Sequence, residues 1–193
     1  MSKKEYNIIY ADPPWRYNGN RHGSRSTERH YPTMSLEEIC ALPVADISAK
    51  DSALFLWVTF PILRQAFSVI DSWGFKYKTV AFVWAKQNRK TASWFWGMGN
   101  WTRANAEICL LATKGAPKRQ SGSVHQLLVS KVEEHSKKPD DARERIIQLI
   151  GDKPRVELFA RTHPPGWDVW GNEVVCTDFG SNWPEVVPFI RGG

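Results

Sequence analysis

Cysteine is scarce: three residues, Cys40, Cys109 and Cys176, are spread thinly through a chain of 193. None has the spacing that holds a zinc ion, so they read as small buried hydrophobes in a reducing compartment. The five histidines show no paired metal-binding pattern either, and no metal is expected. No apolar run approaches the ~20 residues that cross a bilayer, and the opening Met-Ser-Lys-Lys-Glu has no apolar signal region. The expectation is a cytoplasmic protein without a membrane partner. Internal repeats, low-complexity tracts and a Gly-rich phosphate loop are also missing, and the last of these argues against a dinucleotide or nucleoside-triphosphate enzyme.

What is abundant is aromatic and basic. The chain is 42% apolar and 12% aromatic, with ten tryptophans, which excludes a chain disordered by composition. Its length suits one domain, residues 1–193. The net charge is +6, and its placement says more than its size. From Lys86 to Arg119 the bases are Lys86, Arg89, Lys90, Arg103, Lys114, Lys118 and Arg119, against Glu107 alone. Trp94, Phe95, Trp96 and Trp101 are interleaved with them. Phosphate-binding cations beside base-stacking rings are what a nucleic-acid groove requires. A solvated loop pinned by a hydrophobic anchor would use the same residues.

Local patterns predict alternating strands and helices. Strands are expected at Asn7–Ala11, Ala53–Thr59, Val80–Ala85, Ile108–Thr113, Leu127–Ser130 and Val156–Ala160. Ser35 and Glu38 form a capping-box pattern that starts a short helix to about Leu42. Pro61 opens a helix with Leu63, Phe67, Ile70 and Trp73 on its apolar face, and Gly74 ends it. Pro139 opens another, with Ala142, Ile146, Leu149 and Ile150 inward and Gly151 after it. Residues 16–34 look like a mobile polar loop, 86–107 like a basic, aromatic insertion, and the stretch to Glu173 like a polar Gly/Pro segment. This alternation predicts an α/β domain of three layers with a mostly parallel sheet. Ligands in such folds gather at the carboxyl ends of strands, where Asp12–Trp15 and Phe159–His163 fall.

Asp12-Pro13-Pro14-Trp15 cannot continue a sheet, because proline lacks a donor. Ionised Asp12 only accepts hydrogen bonds, the prolines present carbonyl oxygens on a stiff turn, and Trp15 offers a flat face. Such a turn can grip a planar ring and accept both hydrogens of an amino group attached to it. Two fixed acceptors free the lone pair of that aromatic amine, and an in-line sulfonium methyl is then open to attack. A packed Pro-Pro turn with no chemistry is the structural alternative.

At these residues the sequence resembles the Asp-Pro-Pro-Trp family of adenine N(6)-methyltransferases. Tyr31-Pro32-Thr33-Met34 with Ser35 and Glu38, Leu54–Thr59, Trp73-Gly74 and Trp84-Ala85-Lys86 are similar to further family segments. So are His135–Pro139, Val156–Arg161, Gly166–Asp168 and Trp170–Glu173, so that the likeness spans roughly residues 7–173. The resemblance implies a Rossmann-like methyltransferase fold in permuted order, with the catalytic motif before the cofactor motif. It also implies S-adenosylmethionine, which has no phosphate and needs no Gly-rich loop. Asp12, Pro13, Pro14 and Trp15 would be catalytic, and Asp12 and Pro14 would also touch the methionine end. Lys138 would bind the cofactor carboxylate, Phe159 and Arg161 would flank the adenosine part, and Asn172 and Glu173 would hold the ribose hydroxyls. His163 stands where the family can place a cofactor-contacting histidine. Tyr31 would pack near the cofactor or target base, and Tyr31, Lys86, Arg89, Lys90, Trp94, Trp96, Trp101 and Arg103 form the expected nucleic-acid face. DNA is the first expected substrate and RNA the second, and the family's habit of pairing through the middle insertion makes a homodimer a candidate assembly. Rival readings are a catalytically silent nucleic-acid-binding partner on the same fold, and methylation of a small molecule or protein.

Overall fold

The computed structural model describes residues 4–16, 33–99, 101–133 and 137–185. Among these residues seven strands form one sheet: β1 (Tyr6–Ala11), β2 (Ser48–Val58), β3 (Lys76–Gln87), β4 (Ala106–Lys114), β5 (Leu127–Lys131), β6 (Arg155–Leu158) and β7 (Asp168–Trp170). Their order is β5-β3-β4-β2-β1-β6-β7. The pairs β1–β2, β1–β6, β6–β7 and β3–β5 are parallel, and β4 runs antiparallel to both β2 and β3. The mostly parallel α/β sheet expected from the sequence is therefore present, with one reversed strand inside it.

Alternation along the central strands divides the core into two layers, because successive side chains of a strand point to opposite faces. Ile9, Leu54, Leu56 and Leu110 pack with Ile39, Val44, Ala66, Val69, Ile70 and Trp73. Those partners come from α1 (Leu36–Cys40), α2 (Val44–Ile47) and α3 (Leu63–Ser72) and the turn after it. Ile8, Tyr10, Phe55, Trp57, Phe82 and Cys109 belong to the other face, covered by Ala142, Ile146 and Ile150 of α4 (Asp141–Ile150). Helices on both faces bury both sides of β1 and β2, which explains why these strands read as continuous apolar runs.

Helix starts follow the sequence closely. Ser35 Oγ accepts from the Glu38 N–H and Glu38 returns a carboxylate to the Ser35 N–H at 2.7 Å, the expected capping box. Pro61 lies in a short 3-10 turn, Phe60–Ile62, that leads into α3. The inward face of α3 is Ala66, Val69 and Ile70, while Phe67 turns aside to meet the Tyr77 ring edge-on. Other boundaries differ. β2 begins at Ser48, five residues before the expected Ala53, and β3 begins at Lys76, ahead of Val80. Both extensions carry exposed polar residues that apolar patterning does not register. β7 falls inside the stretch read as a polar segment: at three residues it is too short to show an alternation, and pairing with β6 makes it a strand. The expected loop over residues 16–34 lies mostly outside the described residues.

Candidate active site

The topology brings five chain segments to one end of the sheet. β1, β2, β6 and β7 are parallel, so Asp12, Thr59, Phe159 and Gly171 each follow a strand at the same edge. Because β4 is antiparallel, its beginning lies there too, with Ile108 opposite Val58 and Glu107 opposite Trp84. A cavity of about 190 Å³ opens at this end, lined by Asp12 to Trp15, Met34, Trp57 to Thr59, Glu107, Lys138, Phe159, Arg161 and Trp170 to Glu173. A second cavity of about 190 Å³ shares Asp12, Lys138, Phe159, Arg161 and Glu173 with it, and reaches Tyr10, Arg143 and Glu157.

A chain of alternating charges crosses the cavity floor. Lys138 Nζ lies 2.7 Å from Asp12 Oδ2 and 3.2 Å from Glu107 Oε2, and Glu107 Oε1 is 2.5 Å from Lys86 Nζ. The Lys138 side chain is 8% exposed, Glu107 15% and Asp12 27%, so Lys138 is enclosed and Asp12 faces the cavity mouth. Burial pushes the Asp12 carboxyl above its ordinary value; Lys138 pulls against that and Glu107 adds to it. Burial also acts upward on Glu107, but Lys138 and Lys86 outweigh it and hold that carboxyl below its ordinary value. Burial disfavours the charge on Lys138, yet Asp12 and Glu107 raise its pKa overall. The network thus holds an ionised Glu107, a fixed ammonium and a carboxylate readier than usual to take a proton.

The Asp12–Trp15 turn is rigid in the way its prolines imply, with one change to the expected acceptors. The Trp15 N–H donates to the Pro13 carbonyl and the Met34 N–H to the Pro14 carbonyl, both at 2.9 Å. Each carbonyl keeps a second lone pair, so the grip on an amine rests first on Asp12 and on one spare lone pair from each proline. Trp15 is buried, with Nε1 donating to the Trp57 carbonyl at 3.2 Å. Trp57 in turn donates to Tyr10 Oη at 2.7 Å, and the Arg143–Glu157 ion pair lies beyond.

On the far side of the cavity, Phe159 has φ +63°, a left-handed conformation that a bulky side chain seldom adopts. The turn is locked by the Ala160 N–H donating to the Trp170 carbonyl at 2.9 Å. A Cβ on Gly171 would lie 2.1 Å from the Ala160 carbonyl oxygen, so only glycine lets the two strand ends approach this closely. The Phe159 ring meets Trp170 edge-on, with centroids 5.3 Å apart. Arg161 Nε donates to Glu173 Oε1 at 2.8 Å. Strain of this kind, on the order of 1–3 kcal/mol, tends to collect at functional sites.

The sequence-expected residues thus separate. Asp12 to Trp15, Lys138, Phe159, Arg161, Asn172 and Glu173 converge on one cavity. His163 does not line it: the ring is exposed and its Nε2 sits 3.0 Å from the Trp167 carbonyl oxygen. Tyr31 lies outside the described residues. Lys86 is turned into the charge chain, with its ammonium 4.8 Å from the Trp84 ring centroid. Arg103 binds the Trp96 and Gly97 carbonyls, while Arg89, Lys90, Trp94, Trp96 and Trp101 are exposed, Trp101 completely. Glu107, Trp57 and Trp170 were not among the expected site residues. Glu107 carried a signal in the sequence, as the one carboxylate in a basic run.

The chain matches the MT-A70 family model over residues 6–173. It is 35% identical over 193 residues to Type II methyltransferase M.MunI of a Mycoplasma species, an alignment covering 90% of this chain and 80% of that protein. Similarity extends to N(6)-adenosine-methyltransferase MT-A70-like of Arabidopsis thaliana, 29% identical over 172 residues. The human N(6)-adenosine-methyltransferase catalytic subunit METTL3 is 28% identical over 174 residues. Both of these alignments cover 88% of this chain and about a quarter of the longer relatives, 24% and 28%.

Proposed function

The chain belongs to the MT-A70 family and is an adenine N(6)-methyltransferase, and on that premise we propose that it methylates adenine in DNA with S-adenosylmethionine. The observation that carries this reading is the convergence of Asp12–Trp15 and Lys138 with Phe159, Arg161, Asn172 and Glu173 on one cavity. The cavity's chemistry fits the donor: an ammonium and a carboxylate for an amino acid, aromatic rings for a purine, and a second carboxylate for ribose hydroxyls. When bound, S-adenosylmethionine supplies an electrophilic sulfonium methyl group.

Lys138 would hold the cofactor carboxylate and Asp12 its amine, with Phe159 and Arg161 at the adenosine and Asn172 and Glu173 at the ribose. Asp12, aided by the spare lone pairs of Pro13 and Pro14, accepts from the target amino group and keeps its nitrogen lone pair out of the ring. Trp15 stiffens this turn from beneath. As the adenine nitrogen gains a methyl group it must lose a proton, and the raised pKa of Asp12 suits it to take that proton. Lys138 and Glu107 then keep the carboxyl in place through the exchange.

Adenine in a duplex is paired and stacked, so the base must be flipped out or already unpaired to enter. The cations and rings of residues 88–103 would bind the flanking strand. DNA is favoured over RNA because a relative of which the alignment covers 80% is a type II methyltransferase. The similarity to N(6)-adenosine-methyltransferases supports RNA as the alternative. No described helix is long and apolar enough to cross a membrane, and a cytoplasmic site of action, with pairing into a homodimer through the 86–107 segment, completes the proposal. The test is incubation with labelled S-adenosylmethionine and matched DNA and RNA oligomers, followed by identification of the modified nucleoside. N(6)-methyladenine formed faster in DNA is expected; faster turnover on RNA would reverse the substrate, and no methylated adenine in either would sink the reading.

A further inference from the structure

Beyond the residues that match the family, the chain builds a second aromatic wall beside the site. A cavity of about 850 Å³, lined by residues between Trp170 and Glu185, shares Trp170, Gly171, Asn172 and Glu173 with the site cavity. Thr177 ties this segment to β7 twice, its N–H donating to the Val169 carbonyl at 2.8 Å and its hydroxyl accepting from the Val169 N–H at 3.0 Å. The Trp183 ring stands edge-on to Trp170 at 5.8 Å and meets Phe179 at 5.1 Å. Together with Phe159 on Trp170, these rings run from the site into the second cavity, and Phe179 ends the row against Tyr6 at the start of β1, with centroids 6.0 Å apart.

One atom in that array is unexplained by the protein. Trp183 is buried, 8% exposed, and its Nε1 has no hydrogen-bond partner among the described residues. Trp15, Trp57, Trp73, Trp84 and Trp170 each donate their indole N–H to an acceptor. A buried donor left without an acceptor is costly, and none of the described residues supplies one for Trp183 Nε1. A ligand that reaches this donor from the ribose-side residues Asn172 and Glu173 has to be flat enough for an aromatic box and has to offer the indole N–H an acceptor, such as an unprotonated ring nitrogen. A purine meets both conditions.

We propose that Trp183, backed by Phe179, forms the purine wall of the cofactor site, with its indole N–H donating to a ring nitrogen of the adenine of S-adenosylmethionine. This rests on the cofactor reading above and extends it to residues that lie past the family match. The wall is positioned before any ligand arrives, because Thr177 fixes its start and Asp178 accepts from the Gly180 N–H at 2.8 Å within it.

The test is calorimetric binding of S-adenosylhomocysteine and of its 1-, 3- and 7-deaza analogues, each lacking one ring acceptor. Trp183→Phe keeps a ring and removes the donor, and is expected to weaken S-adenosylhomocysteine about 3- to 10-fold. One deaza analogue should lose a similar factor on the unmodified protein and none on Trp183→Phe. Equal affinity of all four ligands for the unmodified protein overturns the proposal even if the variant does not fold. Unchanged binding by folded Trp183→Phe overturns it too, and if Lys138→Ala loses affinity in parallel, the cofactor reading survives alone. Failure of the unmodified protein to bind S-adenosylhomocysteine would overturn both.

Discussion

Around Asp12 the charges answer one another within the protein, whereas on residues 88–103 cations and rings are turned outward. Lys86, Glu107, Lys138 and Asp12 form one part-buried chain. Arg89, Lys90, Trp94, Trp96 and Trp101 are exposed, although backbone hydrogen bonds from Asn88 to Ser93, Phe95 to Lys86 and Gly97 to Ala104 hold the segment in shape. The first arrangement fixes protonation states and geometry, as a transition state demands. The second leaves charge and stacking surface available, as a polyanion demands. If this division is real, substitutions in the two regions must fail in different ways.

The largest effect is expected at Asp12. Asp12→Ala removes the acceptor that positions the amine, so turnover should fall by orders of magnitude while circular dichroism and thermal unfolding report an intact fold. Near-normal methylation by folded Asp12→Ala would end the proposed mechanism. Lys138→Ala comes next. Losing its charge-assisted hydrogen bond should weaken S-adenosylmethionine binding by roughly 1.5–3 kcal/mol in calorimetry, and unchanged affinity would reduce Lys138 to a structural brace between two carboxylates.

The charge chain also makes a signed prediction about pH. Methyl transfer needs Asp12 as an acceptor, so activity falls as pH drops through its pKa, and burial puts that limb above the range of an ordinary aspartate, ~3.9. Glu107 raises the Asp12 pKa and Lys138 lowers it. Glu107→Gln should therefore move the acid limb to lower pH and Lys138→Ala to higher pH, read from kcat/KM profiles. Shifts in the same direction would show that the limb belongs to another group.

Much of this site was visible in the residues, and the reason for the rest is topological. Asp12 and Phe159 stand at strand ends that the local patterns mark, whereas Lys138, Asn172 and Glu173 are reached only through the resemblance to the family. Glu107 is reached by neither route, since it joins them only because β4 runs against its neighbours, and strand direction leaves no trace in apolar periodicity. The short β7 and the early starts of β2 and β3 escaped for a related reason: pairing partners, not their own residues, make them strands. His163 stands in the matching local context, but its ring meets the Trp167 carbonyl and does not line the described cavity.

The smallest change is expected on the outward-facing side, and it is the one that separates the two regions. Arg89 and Lys90 are exposed and lie beyond the charge chain, so replacing both with alanine should leave calorimetric binding of S-adenosylmethionine unchanged. Each phosphate neutralised by a cation releases counterions, with a slope near −0.9 in log K against log salt for duplex DNA. If both residues meet phosphates, the double variant should flatten that slope by about 1.8 and weaken binding across sequences alike. The same loss of backbone contacts removes part of what offsets base flipping, so activity should suffer more on a paired adenine than on a mismatched or unpaired one. A slope identical to that of the unmodified protein would remove these cations from the nucleic-acid face. A loss of cofactor binding in the same variant would mean that the exposed segment and the charge chain are one unit, and the division drawn between them would fall.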